Sequence, residues 1–458
     1  MSSSTYGARR RSEERRVLAG TLVGTTIEWY DFFIYAQAAA FVLAPLFFEP
    51  LSQENAPLAQ IVSWASVGIS FLFRPLGAII IGHLGDKYGR KLMLVLTLVG
   101  MGGATTIIGL LPTYEAIGVT APILLILMRI MQGFSAGGEW GGAALMAVEH
   151  APRHRRSLFG SAPQIGVPIG MLLATSFMFI LTSALTPEQF EAWGWRIPFL
   201  SSVVLIVVGY LIRKAVAESP VFVELQERKR KSSAPLRQLL RSHKRPVILA
   251  ALIFAGNNAA GYLVIAFFAA YGANVLGMSR EATLVASLVG GLGWLIFTMF
   301  GGWLGDIIGK RTTFTIGYAW LVIWSIPMWF MLDTANLLLF TLAIVLVTVG
   351  LGPSYAPQSA LYAEMFPASV RYSGASIGYA LGSIIGGAFA PMISEMILTV
   401  TGQSWMIGLY ISLIALISLI AVRMVPKTIE GRNLNDDDHG DITVKTIKDS
   451  PETDLATG

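Results

Sequence analysis

"GHLGDKYGRK" (Gly82–Lys91) and "GWLGDIIGKR" (Gly302–Arg311) are two copies of one motif, 220 residues apart. Gly82, Leu84, Gly85, Asp86 and Gly89 are matched by Gly302, Leu304, Gly305, Asp306 and Gly309. Each copy lies between two long apolar runs. A second echo has a similar offset, 215 residues: "EHAPRHRR" (Glu149–Arg156) and "EMFPASVR" (Glu364–Arg371) share Glu, Pro and Arg. A repeat at about half the chain length describes two copies of one unit, the internal symmetry found in transporters.

Outside the motif the chain is apolar. Of its 458 residues 54% are hydrophobic and 13% charged, where a soluble domain carries roughly a quarter charged. Runs of about 20 apolar residues are what a helix needs to cross a bilayer. Twelve are expected, at 17–47, 58–84, 91–112, 121–149, 157–184, 195–216, 246–275, 281–306, 312–332, 335–363, 371–399 and 403–424. Backbone polar groups cannot face lipid unpaired, so an all-α membrane bundle follows. The basic flank Arg9, Arg10, Arg11, Arg15 and Arg16 before the first run resembles a signal peptide, but Val17 to Phe48 is too long for one, so a retained first helix is expected.

Lys and Arg mark alternate loops. They fall before helix 1, at Lys87, Arg90 and Lys91, at Arg153, Arg155 and Arg156, from Arg213 through Arg245, at Lys310 and Arg311, at Arg371 and after helix 12, while Arg196 and Arg280 are exceptions. This pattern predicts both termini in the cytoplasm. The expected domains are a basic N-terminus (1–16), a six-helix half (17–217), a central loop (218–245), a second six-helix half (246–424) and a tail (425–458) that is polar and expected to be disordered. The basic run of the central loop suits solvent and anionic lipid, not nucleic acid. No cysteine is present and the five histidines are scattered, so no metal or cofactor is expected. No nucleophile–base pair or phosphate loop stands out, so the chain is not read as an enzyme, and no obligate protein partner is evident.

The GxxxDKxGRK pattern of Gly82–Lys91 resembles the hallmark of the major facilitator superfamily, and "RIMQGFSAGGEWGG" (Arg129–Gly142) resembles its RxxQG motif. More narrowly, "EWYDFFIY" (Glu28–Tyr35), "FRPLGAIIIGHLGDKYGRK" (Phe73–Lys91), "GGEWGGAALMAVEHAP" (Gly137–Pro152), "GWRIPFL" (Gly194–Leu200) and "ESPVF" (Glu218–Phe222) resemble the metabolite:H⁺ symporter family, over nearly the whole chain from Arg15 to about Pro426. That family includes permeases for shikimate, α-ketoglutarate, citrate, proline and betaine. The resemblance implies proton-coupled uptake by alternating access, with the lipid bilayer, protons and a small-molecule substrate as partners. Three features depart or compete. The tail lacks the coiled coil of osmosensing proline/betaine members. Ile307 replaces the basic residue seen at Lys87, which marks the second motif as the less stringent gate. "GVPIG" (Gly166–Gly170) loosely resembles a motif of drug/H⁺ antiporters.

Five ionisable residues stand well inside the apolar runs, all in the first half: Glu28, Asp31, Arg74, Arg129 and Glu139. An ionisable group in hydrocarbon is costly and normally has a partner or a function. At 1.5 Å per residue, Glu28, Asp31 and Arg74 lie roughly 15–20 Å deep. Glu28 and Asp31 share a helical face at i, i+3. Two readings stand: either the acids carry the coupled proton, or they form a permanent ion pair with Arg74. Glu28, Asp31, Arg129 and Glu139 are the candidates for proton coupling. Candidates for the substrate path are Tyr30, Tyr35, Arg74, Gln132, Trp140, Gln164, Asn257, Asn258, Tyr262, Tyr355, Gln358 and Tyr362. Helix 5 is expected to bend between Pro163 and Pro168. Candidates for gating are Asp86, Lys87, Gly89, Arg90, Lys91 and Asp306, with the aspartate expected on a cation or a helix N-terminus across the interface. The expected function is import of a small polar metabolite, an organic acid, with a proline- or betaine-type zwitterion as the alternative and drug export as a further one.

Overall fold

The computed structural model describes residues 3–52, 56–88, 90–137, 139–215, 243–367, 370–432 and 434, with side chains outside the description at 3–17, 51–52, 82–83, 85–94, 212–215 and 266. Among the described residues every regular element is helical. All twelve expected segments are occupied by helix. In the first half they are α1 (Ser3–Phe41), α2 (Ala56–Tyr88), α3 (Arg90–Leu110), α4 in two pieces (Thr120–Ala136, Glu139–Glu149), α5 (Arg156–Ala184) and α6 (Arg196–Ala215). In the second they are α7 (Lys244–Tyr262, continuing as Phe268–Asn274), α8 (Arg280–Ile307), α9 (Lys310–Trp324, Pro327–Leu332), α10 (Leu337–Leu351, Gln358–Met365), α11 (Arg371–Gly382, Ala390–Thr401) and α12 (Trp405–Met424).

Seven helices among the described residues are long and apolar enough to cross a membrane, or eight if one bent pair is a single span. The remaining segments fall short for local reasons. α1 carries Glu28 and Asp31, and the apolar parts of α3 and α10 are short (Val95–Leu110, Leu337–Leu351). Wide π turns interrupt α7 at Leu263–Phe267 and α11 at Ser383–Ala388. Such turns leave carbonyls off the regular ladder and concentrate at functional sites. α5 runs as one helix through both Pro163 and Pro168.

The halves meet along two seams, α5 against α8 and α2 against α11. Within the first half, Gly133 and Gly137 let α4 rest directly on α2: a methyl at Gly133 would overlap the Ser70 carbonyl, and one at Gly137 the Arg74 carbonyl. That close approach is what brings Arg129, one turn earlier, within reach of α2.

Two boundaries differ from expectation. α1 begins at Ser3, not near residue 17. The tail expected to be disordered begins instead with a placed stretch, 425–432 and 434, folded against the helix ends. Burial explains the latter: Val425, Ile429 and Leu434 are all in the interior. Residues 216–242 of the central loop and 435–458 of the tail lie outside the described residues.

Candidate functional site

The first half buries Glu28, Asp31, Arg74, Arg129 and Glu139. Asp31 Oδ1 accepts a hydrogen bond from Ser202 Oγ of α6 at 2.6 Å, and a methyl on Gly102 of α3 would meet its Oδ2 at 3.5 Å. Arg129, fully buried, donates from Nε to the Ser66 carbonyl (3.3 Å), from Nη2 to the Val67 carbonyl (3.0 Å) and Ser70 Oγ (2.9 Å), and from Nη1 to Gln132 Oε1 (2.5 Å). Gln132 Nε2 in turn donates to Thr105 Oγ1 at 2.7 Å. The guanidinium carbon also sits 3.8 Å from the Tyr35 ring centroid. Among the described residues, neither Arg129 nor Arg74 forms an ion pair with Asp31. Of the two acids offered as partners for Arg74, Asp31 does not pair with it among the described residues, because Asp31 turns toward α3 and α6 while Arg74 turns into an aromatic cluster.

That cluster lies where the halves meet. The Arg74 guanidinium carbon is 4.4 Å from the Phe71 ring centroid, 5.2 Å from Phe32 and 5.4 Å from Trp29. The second half closes over it with Tyr262, edge-on to Phe71 at 5.4 Å and to Phe32 at 5.8 Å. Trp140 of α4 stacks on Tyr379 of α11 at 3.8 Å and 10°, and Tyr379 stacks on Phe254 at 4.3 Å. Glu28 and Arg74 are both in electrostatic range of Tyr262, Tyr355 and Tyr379. Among the described residues, several buried polar atoms here have no hydrogen-bond partner: Arg74 Nε, Trp140 Nε1, Tyr262 Oη, Asn258 Oδ1 and both amide atoms of Gln358. Buried polar groups are nearly always satisfied, so such a concentration at one place calls for an explanation. Most of these orphans are donors, next to a cation, which is the chemistry that receives an anion with additional oxygen acceptors.

The other candidates are placed elsewhere. Tyr30 bonds Ser201 on α6 at 2.8 Å and Tyr35 bonds Ser66 on α2 at 2.6 Å, both inside the first half. Asn257 ties α7 to α10 through the Leu351 carbonyl (2.9 Å) and Ser354 Oγ (2.8 Å). Tyr362 donates to the Ala250 carbonyl. Gln164 reaches across the seam to Ser359 Oγ at 2.7 Å. Glu139 is buried in the first turn of the second piece of α4, beside Trp140. Thus the structure brings Glu28, Arg74, Trp140, Asn258, Tyr262, Tyr355 and Gln358 toward one region, and holds Tyr30, Tyr35, Gln132 and Asn257 in contacts within one half, while the Tyr362 ring meets Trp140 edge-on across the halves at 6.0 Å.

Both ends of the seam are held shut. At the end carrying the basic loops, Asp306 accepts from the backbone N–H of Ser157 (2.8 Å) and Leu158 (3.0 Å), the open N-terminus of α5. The second copy of the motif thus makes a full helix-terminus contact despite its Ile307. The side chains of Asp86, Lys87, Arg90 and Lys91, and Gly89 itself, lie outside the described residues. The second sequence echo pairs crosswise: Arg156 meets Glu364 at 3.5 Å and Arg371 meets Glu149 at 3.6 Å, with Lys310 on Glu364 at 3.2 Å. The tail seals this plate. Arg153 and Arg156 of one half donate to the carbonyls of Gly431 (3.0 Å) and Arg432 (2.7 Å), and Arg371 of the other to that of Leu434 (2.7 Å). At the opposite end Gln37 Nε2 donates to the Ile265 carbonyl in the π turn of α7 at 2.8 Å, and Arg280 lies 3.9 Å from Glu191. Arg196 donates to the carbonyls of Gly109 (3.0 Å) and Leu111 (2.5 Å) at the end of α3. Both exceptions to the loop-charge pattern therefore have local partners.

Sequence reasoning missed Thr105, Ser202, Gln37, Tyr379 and the tail contacts. Glu364 and Arg371 carried a signal, their echo of Glu149 and Arg156, but an echo does not say that partners are exchanged. Comparison with known proteins agrees with this architecture. The chain is 38% identical over 425 residues to the inner membrane metabolite transport protein YhjE of Escherichia coli, covering 91% of this chain and 95% of the relative. It is 37% identical over 398 residues to the shikimate transporter of the same organism, covering 86% and 90%. Among solved structures, the proton:xylose symporter XylE bound to 6-bromo-6-deoxy-D-glucose superposes with a TM-score of 0.75 at 16% identity, covering 93% of this chain and 98% of that one, a likeness of fold. Residues 32–391 match the family model of the Major Facilitator Superfamily, and the chain belongs to that superfamily of membrane transporters.

Proposed function

We propose that this transporter is a proton-coupled symporter that imports a small organic acid by alternating access, with its basic end facing the cytoplasm of a bacterium. The observation that carries the reading is the Arg74 site. It is a buried guanidinium without a carboxylate partner among the described residues, walled by aromatic faces and surrounded by orphan polar atoms from both halves. A carboxylate there would neutralise Arg74, and hydroxyl groups on the same molecule would satisfy Gln358, Asn258 and Tyr262. The aromatic walls suit a compact ring or short chain. Contacts from both halves to one ligand are what alternating access requires, since closure around the ligand then stabilises the state between the two open forms.

The proton is assigned to Asp31. A buried carboxylate without a cation is costly, and the protonated acid removes that cost. Release to the cytoplasm would restore the charge and reset the cycle. Glu28 lies nearer to the substrate cluster and suits a role in ligand binding. A zwitterion of the proline or betaine type is the second reading. Its support is the stacked Trp140 and Tyr379 with Glu28 close by, which suits an ammonium group.

Proteoliposomes with an imposed pH gradient, acid outside, test this. The expected result is uphill accumulation of a labelled hydroxylated carboxylate such as shikimate, with loss of accumulation on adding a protonophore. Accumulation of betaine instead would favour the second reading, and uptake indifferent to the gradient would reject proton coupling.

A further inference from the structure

Residues 425–432 and 434 form a strap that crosses the basic end between the halves. Its start belongs to the second half. It continues from α12, and Val425 and Ile429 are buried in the main core. Glu430 Oε1 accepts from the backbone N–H of Arg311 at 2.6 Å, at the start of α9, and the Arg311 guanidinium donates to the Arg423 carbonyl of α12 at 3.0 Å. The strap then turns at Gly431, whose φ of 78° favours glycine. The two polar groups of that residue go to opposite halves. Its N–H donates to Glu364 Oε2 of α10 at 3.2 Å, and its carbonyl accepts from Arg153 at 3.0 Å. Beyond the turn, Arg156 holds the Arg432 carbonyl and Arg371 the Leu434 carbonyl, each at 2.7 Å. The path ends on Leu434, which is only 6% exposed. Its side chain belongs to a small apolar cluster apart from the main core, with Leu145 and Val148 from the last turns of α4 and Ala360 and Ala363 of α10. One leucine thus fills a gap between the two halves.

We propose that Leu434 is a gating residue: a plug on a strap that stays with the second half and leaves the first each time the basic end opens. The proposal rests on the alternating access argued above, and on neither its substrate nor its proton. Halves that part must leave Leu434 on one side. The second half holds the strap by its covalent continuation from α12, by Glu430 on α9, by Glu364 and by Arg371. The first half holds it by Arg153, by Arg156 and by the apolar contact with Leu145 and Val148. The first half has no covalent link to the strap at this end, so its contacts are the ones that break. A carbonyl released by Arg153 or Arg156 at an aqueous end is met by water, so those bonds add little to closure. Leu434 has no such substitute. Parting exposes its side chain together with the faces of α4 and α10 that it covers, so burial of this leucine is the main term by which the strap favours the closed end.

The test needs no substrate. The first N–H groups of a helix have no acceptor within it, and those of Ser157 and Leu158 are held across the seam by Asp306. Their hydrogen–deuterium exchange in the purified full-length protein, read by mass spectrometry, reports parting of the halves. Leu434→Ala should speed it about tenfold or more, because the plug no longer fills its gap. Leu434→Met, of similar volume, should stay within about twofold of the natural chain. The chain has no cysteine, so chosen pairs can be joined with a reducible bifunctional thiol reagent. Linking Val148→Cys to Ala363→Cys joins the halves directly and should slow exchange about tenfold or more relative to the same protein after reduction. Linking Leu434→Cys to Val148→Cys should slow it as much, because the strap is then pinned to both halves. Linking Leu434→Cys to Ala363→Cys should leave it unchanged. Wild-type exchange in Leu434→Ala would overturn the plug. No slowing from the 434–148 link would mean that the strap peels off the second half, and slowing from the 434–363 link would mean that it must leave both. Either result overturns the proposal while alternating access stands. If the direct 148–363 link changes nothing, the halves do not part at this end, and alternating access fails together with the proposal.

Discussion

The two halves share a fold and differ in what they bury. The first half holds Glu28, Asp31, Arg74, Arg129 and Glu139 inside its helices. At the corresponding depth the second half offers Asn257, Asn258, Gln358 and a set of tyrosines, and its buried charges, Lys310, Glu364 and Arg371, sit at the basic end. Charge inside hydrocarbon is costly wherever it is placed. Gathering it in one half lets hydrogen bonds to neighbouring helices share that cost. On the function proposed above, the other half adds neutral contacts to a ligand that Arg74 and Trp140 of the first half also meet. A duplicated fold is then divided into a half that carries the buried charge and a half that meets the ligand with neutral groups. The division is sharp enough to be broken by single substitutions.

The largest effect is expected at Asp31. Asp31→Asn fixes the neutral form, so pH-driven accumulation should be abolished while exchange of labelled for unlabelled substrate persists. Uptake in proteoliposomes, with and without the gradient, separates the two. Retained accumulation would move the titrating group elsewhere. Next is Arg74→Gln, which removes the cation from the site. Truncating one partner of a buried charge pair costs about 2–5 kcal/mol, so apparent affinity should fall by about 30-fold or more. The pH dependence of exchange should be unchanged, because Arg74 lies among the Trp29, Phe32 and Phe71 rings and does not pair with Asp31 among the described residues.

The plate at the basic end tests the symmetry that the interior has lost. Glu364 receives Arg156, Lys310 and the Gly431 N–H, and its side chain is fully buried, whereas Glu149 in the mirror position is 14% exposed. Glu364→Gln leaves two cations against a neutral amide and should loosen the closed end. The natural chain has no cysteine, so alkylation of a single Ser161→Cys reports opening directly. A loss of closure of only about 1.4 kcal/mol already speeds it about tenfold, and Glu149→Gln should do less. Equal effects would mean that the two crossed bridges are interchangeable.

Much of this was legible in the sequence, and the limits have physical causes. Hydropathy alone located the twelve segments, because a bilayer tolerates few alternatives. The repeat announced two halves, and the isolated charges of α1, α2 and α4 announced the half that buries them. Partner choice was not legible. Helical spacing put Glu28 and Asp31 on one face, but a face covers several neighbours, and Ser202 of α6 lies 171 residues from Asp31 in sequence. Hydroxyl residues such as Thr105 are common in membrane helices and satisfy their own backbone, so nothing marks one as the partner of Gln132. The tail was read as disordered from its polarity, yet Val425, Ile429 and Leu434 suffice to anchor it. Three apolar residues in a polar stretch are too sparse to register as a pattern.

The smallest effect gives the finest test of the division, because it separates two adjacent residues of one type. Asn257 and Asn258 are both buried on α7. Asn257 Nδ2 is spent on Leu351 at the end of the first piece of α10 and on Ser354 just after it, while Asn258 Oδ1 has no partner among the described residues. The helix turns by about 100° between them, so one points into the bundle of the second half and the other toward the π turn of α11. There a methyl on Gly387 would collide with the Asn258 amide. Asn257→Ala should therefore lower thermal stability by about 1–2 kcal/mol and leave KM unchanged. Asn258→Ala should leave stability nearly unchanged and raise KM several-fold, as one neutral hydrogen bond of about 1 kcal/mol implies. If the second half recognises the ligand through neutral groups, the two asparagines must divide in this way. Thermal unfolding and exchange kinetics on the same two preparations decide it, and a KM change in Asn257→Ala alone would reverse the assignment.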